Sequence, residues 1–224
     1  MLVAIVIVPS APVLVPELAG AAAADIADLR NAVLTAAAVL PDRWIAIGAG
    51  AENAAWGPEA AGTFAGFGVD VAVGLSPHAD RMDDLGLCAL ITGWLRGQVR
   101  PGARAEVRCF APADDAVAQG RALRTEIDAH PEPVGVLVVA DGCNTLTPAA
   151  PGGHDPDSAA VQAALDDALA GGDTAELAAL PATVVGRAAF AVLAGLAGPA
   201  PHPATELYRG APFGVGYTVA VWQP

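Results

Sequence analysis

Two stretches of the chain, Leu2–Val8 and Val134–Ala140, contain no polar side chain at any position. A strand with one face in water alternates apolar and polar residues. A strand that is apolar throughout has to be covered on both faces. Each run is about the length of one strand and far below the ~18 apolar residues of a membrane span. A chain holding two such runs needs an interior layer of sheet with helices on either side. Pro9, Pro12 and Pro16 force an extended loop after the first run. A loop rich in polar residues, glycine and proline follows the second.

The remaining pattern alternates. Glu17 to Leu40 reads as one long alanine-rich helix, with Leu18, Ile26, Leu29, Val33 and Leu40 on its apolar stripe. Trp44–Ile47 reads as a strand ending in Gly48-Ala49-Gly50, and Val69–Val73 as another. A helix is expected over Asp83–Leu95, a strand over Ala105–Phe110 and a helix from Asp114 to about Ala129. From Pro156 to about Leu196 the pattern is helical, broken at Gly171-Gly172 and at Pro181. Val215–Trp222 reads as the last strand. Strands alternating with helices predict an α/β fold, a three-layer sandwich with a central, mostly parallel or mixed sheet. Residues 1–224 are expected to form one domain, with the strands at 2–8, 44–48, 134–140 and 215–222 in one sheet.

Charge and composition exclude several partners. Hydrophobic residues make up 54% of the 224, which supports a large core. The formal charge of −13 repels phosphate backbones and anionic lipid, so neither nucleic acid nor a membrane is expected as partner. All eleven basic residues are arginines. With no lysine there is no Walker A loop and no Schiff-base lysine. Cys88, Cys109 and Cys143 are too widely spaced for a zinc knuckle and too few for a disulfide framework, which fits a reducing, cytoplasmic setting. The opening residues lack the early basic charge and the continuous apolar stretch of a signal peptide.

In open α/β sheets, ligands sit beyond the carboxyl ends of the strands. Three loops leave such ends: Pro9–Pro16, Gly48–Pro58 and Asp141–Asp155. The candidate pocket residues on them are Ser10, Glu52, Asp141, Cys143, Asn144, Thr145, His154 and Asp155. Gly48-Ala49-Gly50 lacks the third glycine of a dinucleotide loop, because Asn53 stands there. No G-x-S-x-G elbow occurs. Of the four histidines, His78, His130 and His202 lie in turns or at a helix end. His154 follows the longest strand-end loop. Glu52, Asp141, Cys143, His154 and Asp155 form a possible metal set, but no pair among them has a recognisable ligand spacing.

The order of these pieces resembles the class III extradiol (LigB-like) dioxygenases. The resemblance rests on the opening Leu2–Pro16, the strand and loop Val136–Thr147, the segment His154–Leu196 and the ending Ala211–Trp222. The ending is similar to an actinobacterial branch of that superfamily. The resemblance implies a LigB-like α/β fold over essentially the whole chain, and Fe(II) as the cofactor of active members. The positions that would carry iron differ here. The histidine after the first strand is replaced by Pro9-Ser10-Ala11-Pro12. The one after the next strand falls in Gly48–Trp56, where only Glu52 and Asn53 are candidates. The catalytic-base histidine falls in Asp141-Gly142-Cys143-Asn144-Thr145. The late glutamate ligand falls near Arg187–Val192, which has no carboxylate.

The resulting expectation is a LigB-like protein without the catalytic iron site, a pseudoenzyme that binds a small molecule. No cofactor or metal is expected, and a homo-oligomer is possible. The alternatives are a metal-dependent oxidoreductase or dioxygenase with a relocated site on Asp141, Cys143, His154 and Glu52, and a non-catalytic interaction subunit.

Overall fold

The structure is a computed structural model and describes residues 1–224. In chain order its elements are β1 (Leu2–Val8), α1 (Pro16–Ala19), α2 (Ala27–Ala37), β2 (Arg43–Ala49), β3 (Ala54–Trp56), β4 (Ala60–Thr63), β5 (Ala72–Gly74), β6 (Arg81–Met82), α3 (Leu87–Val99), β7 (Arg104–Phe110), α4 (Ala116–Asp128), β8 (Val134–Val139), α5 (Ser158–Gly171), α6 (Arg187–Ala197), β9 (Ala204–Gly210) and β10 (Tyr217–Trp222).

Seven strands form one mixed sheet in the order β3-β7-β2-β8-β1-β10-β9. The four strands β7, β2, β8 and β1 run parallel, and β3, β10 and β9 add antiparallel margins. The two fully apolar runs are neighbours, with Ile5 opposite Val136 and Val8 opposite Val139. The strands at 2–8, 44–48, 134–140 and 215–222 therefore share one sheet.

Side-chain alternation divides the interior in two. Val6, Val8, Ala46, Leu137, Val139 and Val219 face α2 and α3. Ile5, Ile7, Ile45, Ile47, Val136 and Val138 face α4, α5 and α6. This is the three-layer arrangement, and it explains why β1 and β8 carry no polar residue. Each fully buried Ile or Val contributes roughly 1.5–3 kcal/mol. The two largest buried side chains also satisfy their polar atoms: Trp44 Nε1 donates to the Pro41 carbonyl at 2.5 Å and Trp222 Nε1 to that of Leu169 at 2.8 Å.

Several expected elements differ. The helix over 17–40 is broken: α1 stops at Gly20, which has φ +50, a short 3₁₀ turn spans Gly20–Ala23, and α2 starts at Ala27. Alanine propensity favours helix here, but no residue of Gly20–Ala23 is buried, so no packed stripe holds the turn in line. The strand expected over Val69–Val73 does not join the main sheet. Ala72–Gly74 pairs with β4 in a separate three-stranded sheet ordered β5-β4-β6. Strands β3 and β9 were not expected, being short or mixed in polarity at the sheet margins.

Candidate functional site

The carboxyl ends of β7, β2, β8 and β1 lie along one edge of the sheet, as their parallel register requires. Because β10 runs antiparallel to β1, its first residue, Tyr217, lies at that edge too. Ser10 follows β1 and Asp141 follows β8. Their meeting is built from the ladder: Ala140 N–H donates to the Val8 carbonyl at 2.9 Å, and Ser10 N–H donates to Asp141 Oδ1 at 2.8 Å.

The loop after Asp141 is stitched down by its backbone. The Asp141 carbonyl accepts from Gly186 N–H at 2.8 Å and that of Gly142 from Val185 N–H at 3.0 Å. Gly142 N–H donates to Gly216 at 2.9 Å, and Gly216 N–H to Cys143 at 2.8 Å. The loop is thus locked between the start of α6 and the entry to β10.

Burial pushes the Asp141 carboxyl up to about 6, although the Ser10 N–H favours its charged form. The buried phenol of Tyr217 is pushed up by desolvation first, then by the Asp141 charge and by Tyr208. These residues form one environment in which a carboxyl group holds its proton close to neutrality. Ser10 and Asp141 each remain partly open to solvent.

The other expected site residues have different surroundings. Cys143 is fully buried among the residues facing α5 and α6, and burial pushes its thiol up, away from the thiolate form. Its N–H donates to Gln162 Oε1 at 2.8 Å. The Asn144 carbonyl accepts from Gly152 N–H at 2.9 Å, closing the loop on itself. Thr145 Oγ1 and Ser158 Oγ lie 2.6 Å apart, and Ser158 Oγ donates to Asp155 Oδ2 at 3.3 Å. Asp155 Oδ1 also accepts from Asp157 N–H at 3.0 Å. Thr145 and Asp155 therefore organise the approach to α5. Glu52 and His154 are exposed. The structure unites Ser10 with Asp141 and Thr145 with Asp155, but it does not gather the whole set.

The loop Asp141–Asp155 is expected to line the main pocket, facing Ser10 and Glu52; Ser10 meets Asp141, and Glu52 is exposed. Residues 211–216 lie over the loop, with Leu146 N–H donating to the Gly214 carbonyl at 3.1 Å. Two sizeable clefts lie elsewhere. One of about 390 Å³ opens at the amino edge of the sheet, and one of about 620 Å³ beside Asp167 and Asp173.

Two groups escaped the reading of the sequence. Tyr217 enters the site through the antiparallel placement of β10, which no local pattern reveals. Gln162 and Asp166 join the loop to α5 and β10: Gln162 Nε2 donates to Asp166 Oδ1 at 2.8 Å, and Thr218 Oγ1 donates to the same oxygen at 2.5 Å. A signal existed, since two polar residues four apart interrupt a largely apolar helix.

The donor set does not suit the iron that the LigB-like resemblance implies. No group of three or more His, Cys, Asp or Glu side chains converges at a spacing able to hold a metal ion. At the carboxyl edge, Asp141 is the one carboxylate drawn inward, and Asn53 uses its Oδ1 to accept from Ala111 N–H at 2.8 Å.

No family model matches the chain, and no curated protein matches it. Among solved structures, it is similar to the uncharacterized protein JW3007 from Escherichia coli K12. The identity is 12% and the TM-score 0.50, with 99% of this chain and 100% of that one covered. The likeness concerns the fold, over the full length of both chains. No helix is long and apolar enough to cross a membrane.

Proposed function

We propose that the protein binds a small, hydroxylated and uncharged molecule at the carboxyl edge of its sheet, without iron-centred chemistry. The observation that carries this reading is Asp141. Its carboxyl is desolvated, holds its proton up to about pH 6, and has one hydrogen bond, to Oδ1 from Ser10. A carboxyl poised in this way can accept a hydrogen bond from a hydroxyl when ionised and donate one when protonated. Its position beyond β8 is where open α/β sheets hold ligands. A formal charge of −13 disfavours an anion beside an already desolvated acid. The resemblance to LigB-like dioxygenases, whose substrates are catechols, supports an aromatic diol as the first probe.

Ligand-observed NMR with catechol tests the proposal. Saturable binding to the wild type, weakened at least about tenfold by Asp141→Asn and with no ring cleavage when Fe(II) is added, is the expected result. Binding that ignores the substitution, or iron-dependent cleavage, would overturn it.

A further inference from the structure

The amino edge of the sheet, opposite Asp141, concentrates arginine. Arg43 and Arg104 begin the neighbouring parallel strands β2 and β7, and the register sets them side by side. Like charges so placed repel each other. Both depend on one acid: Arg104 Nη2 lies 2.5 Å and Arg43 Nη1 3.8 Å from the same oxygen, Glu132 Oε2. Arg100, just beyond α3, reaches the same place and pairs with Asp42 at 3.1 Å. Three guanidiniums thus face two carboxylates, in a chain with only eleven arginines and a formal charge of −13.

The donors are under-used. The Arg43 side chain is 21% exposed, yet its sole charged partner lies 3.8 Å away, beyond hydrogen-bond reach. The Arg100 Nε is buried and has no acceptor. These groups surround a cleft of about 390 Å³ whose remaining walls are Pro41 and Pro133. A second cleft, of about 270 Å³, shares Arg43 and Arg104. Two prolines and two strand starts hold the walls in place before anything binds, which lowers the entropy cost of binding.

We propose that this cleft binds a phosphate group, free or as the ester of a small molecule. Guanidiniums arrive from two strands and from the end of a helix, directions that suit a tetrahedral oxyanion with several acceptors. The cleft is larger than a phosphate and leaves room for the carbon portion of an ester. Glu132 is 55% exposed, so turning outward into water would hand Arg43 and Arg104 to the incoming anion. The protein's overall charge repels anions at long range, so saturable binding would report this cleft and not general adsorption.

The test is isothermal titration calorimetry of the full chain with inorganic phosphate and with glycerol phosphate, at ionic strength matched with sodium chloride. One saturable site is expected. Equal affinities identify the phosphate group alone as the determinant, and tighter binding of glycerol phosphate identifies an ester. Arg43→Gln and Arg104→Gln should each weaken binding at least about tenfold, and Glu132→Gln should tighten it about threefold by removing the competing acid. Arg209→Gln, on the margin strand β9 at the other end of the sheet from β7, should leave it unchanged, as should Asp141→Asn, which separates this site from the carboxyl edge. Circular dichroism checks that each variant folds. If one arginine variant unfolds, the gain from Glu132→Gln still decides. No saturable heat with either probe, or unaltered binding in folded arginine variants together with no gain from Glu132→Gln, would refute the proposal.

Discussion

Ser10 donates its backbone N–H to Asp141 Oδ1 at 2.8 Å, joining the ends of two adjacent parallel strands through a desolvated carboxyl. One N–H does not offset the loss of water, so the Asp141 pKa rises from 3.8 to about 6. The raised value means that the folded state holds this proton more tightly than the unfolded chain does. The contribution to stability is complete below about pH 4 and is lost as pH climbs through 6. The loss is on the order of 3 kcal/mol, since each pKa unit corresponds to about 1.4 kcal/mol. Asp141→Asn, which keeps the acceptor and removes the charge, should be more stable than wild type at pH 8 and lose that advantage at pH 4. Urea unfolding of both proteins across this range reads the difference. Because burial also raises Asp166, the difference between the two proteins is the quantity to follow, not the wild-type curve alone.

Helices α4 and α6 cross where glycine faces backbone. A Cβ at Gly120 would strike the Val192 carbonyl, and one at Gly195 would strike that of Val117. Backbone cannot yield as a flexible side chain can. Gly120→Ala and Gly195→Ala should each cost at least about 1–3 kcal/mol, and more if the helices must part. Thermal melting should show a large drop for both. Gly97→Ala, where a Cβ meets open space, should show none.

Gly48 serves a related purpose on the opposite face of the sheet. It lies between Cys109 and Val139 in register, and Cys88 of α3 fills the space its missing side chain leaves. A Cβ there would overlap Cys88 Sγ and come within 2.6 Å of Cys88 Cβ. Gly48→Ala should therefore destabilise by about 1–3 kcal/mol. A double variant with Cys88→Gly should recover part of the loss caused by overlap, measured as coupling in a double-mutant cycle.

What the sequence discloses follows from how local the cause is. The apolar runs at Leu2–Val8 and Val134–Ala140 announce interior strands, because every residue is apolar and all but Val3 are buried. The break at Gly20 is not legible: alanine favours helix, and only the absence of a packed partner over Gly20–Ala23 lets the turn depart from it. At the site, Ser10 and Asp141 could be paired because both follow parallel interior strands. Cys143, Thr145 and Asp155 share the loop with Asp141, yet their roles depend on where α5 and β10 dock. Polar residues of that kind look alike in sequence whether they face a ligand or cap a helix.

The polar chain beneath the loop makes that dependence measurable. Cys143 N–H, sealed from solvent, donates to Gln162 Oε1, and the Gln162 amide donates onward to Asp166. Gly142 and Gly216 both leave space for this amide, since a Cβ at either would overlap the Gln162 side chain. Thr218 reaches the same Asp166 oxygen from β10, so Gln162 and Asp166 together link loop, helix and strand. Gln162→Leu removes the acceptor of a buried N–H, which costs about 1–3 kcal/mol. It also removes a donor from Asp166, whose pKa should rise further, because the Gln162 hydrogen bond currently lowers it against desolvation. Thr218→Val takes the other donor from Asp166 and leaves Cys143 untouched. Both variants should lower the urea midpoint, but only Gln162→Leu should accelerate hydrogen exchange at the Cys143 amide beyond the change in global stability. Equal exchange in the two variants would mean that the loop is held by its backbone pairing with Gly216 and Val185 alone, and that Gln162 merely fills space.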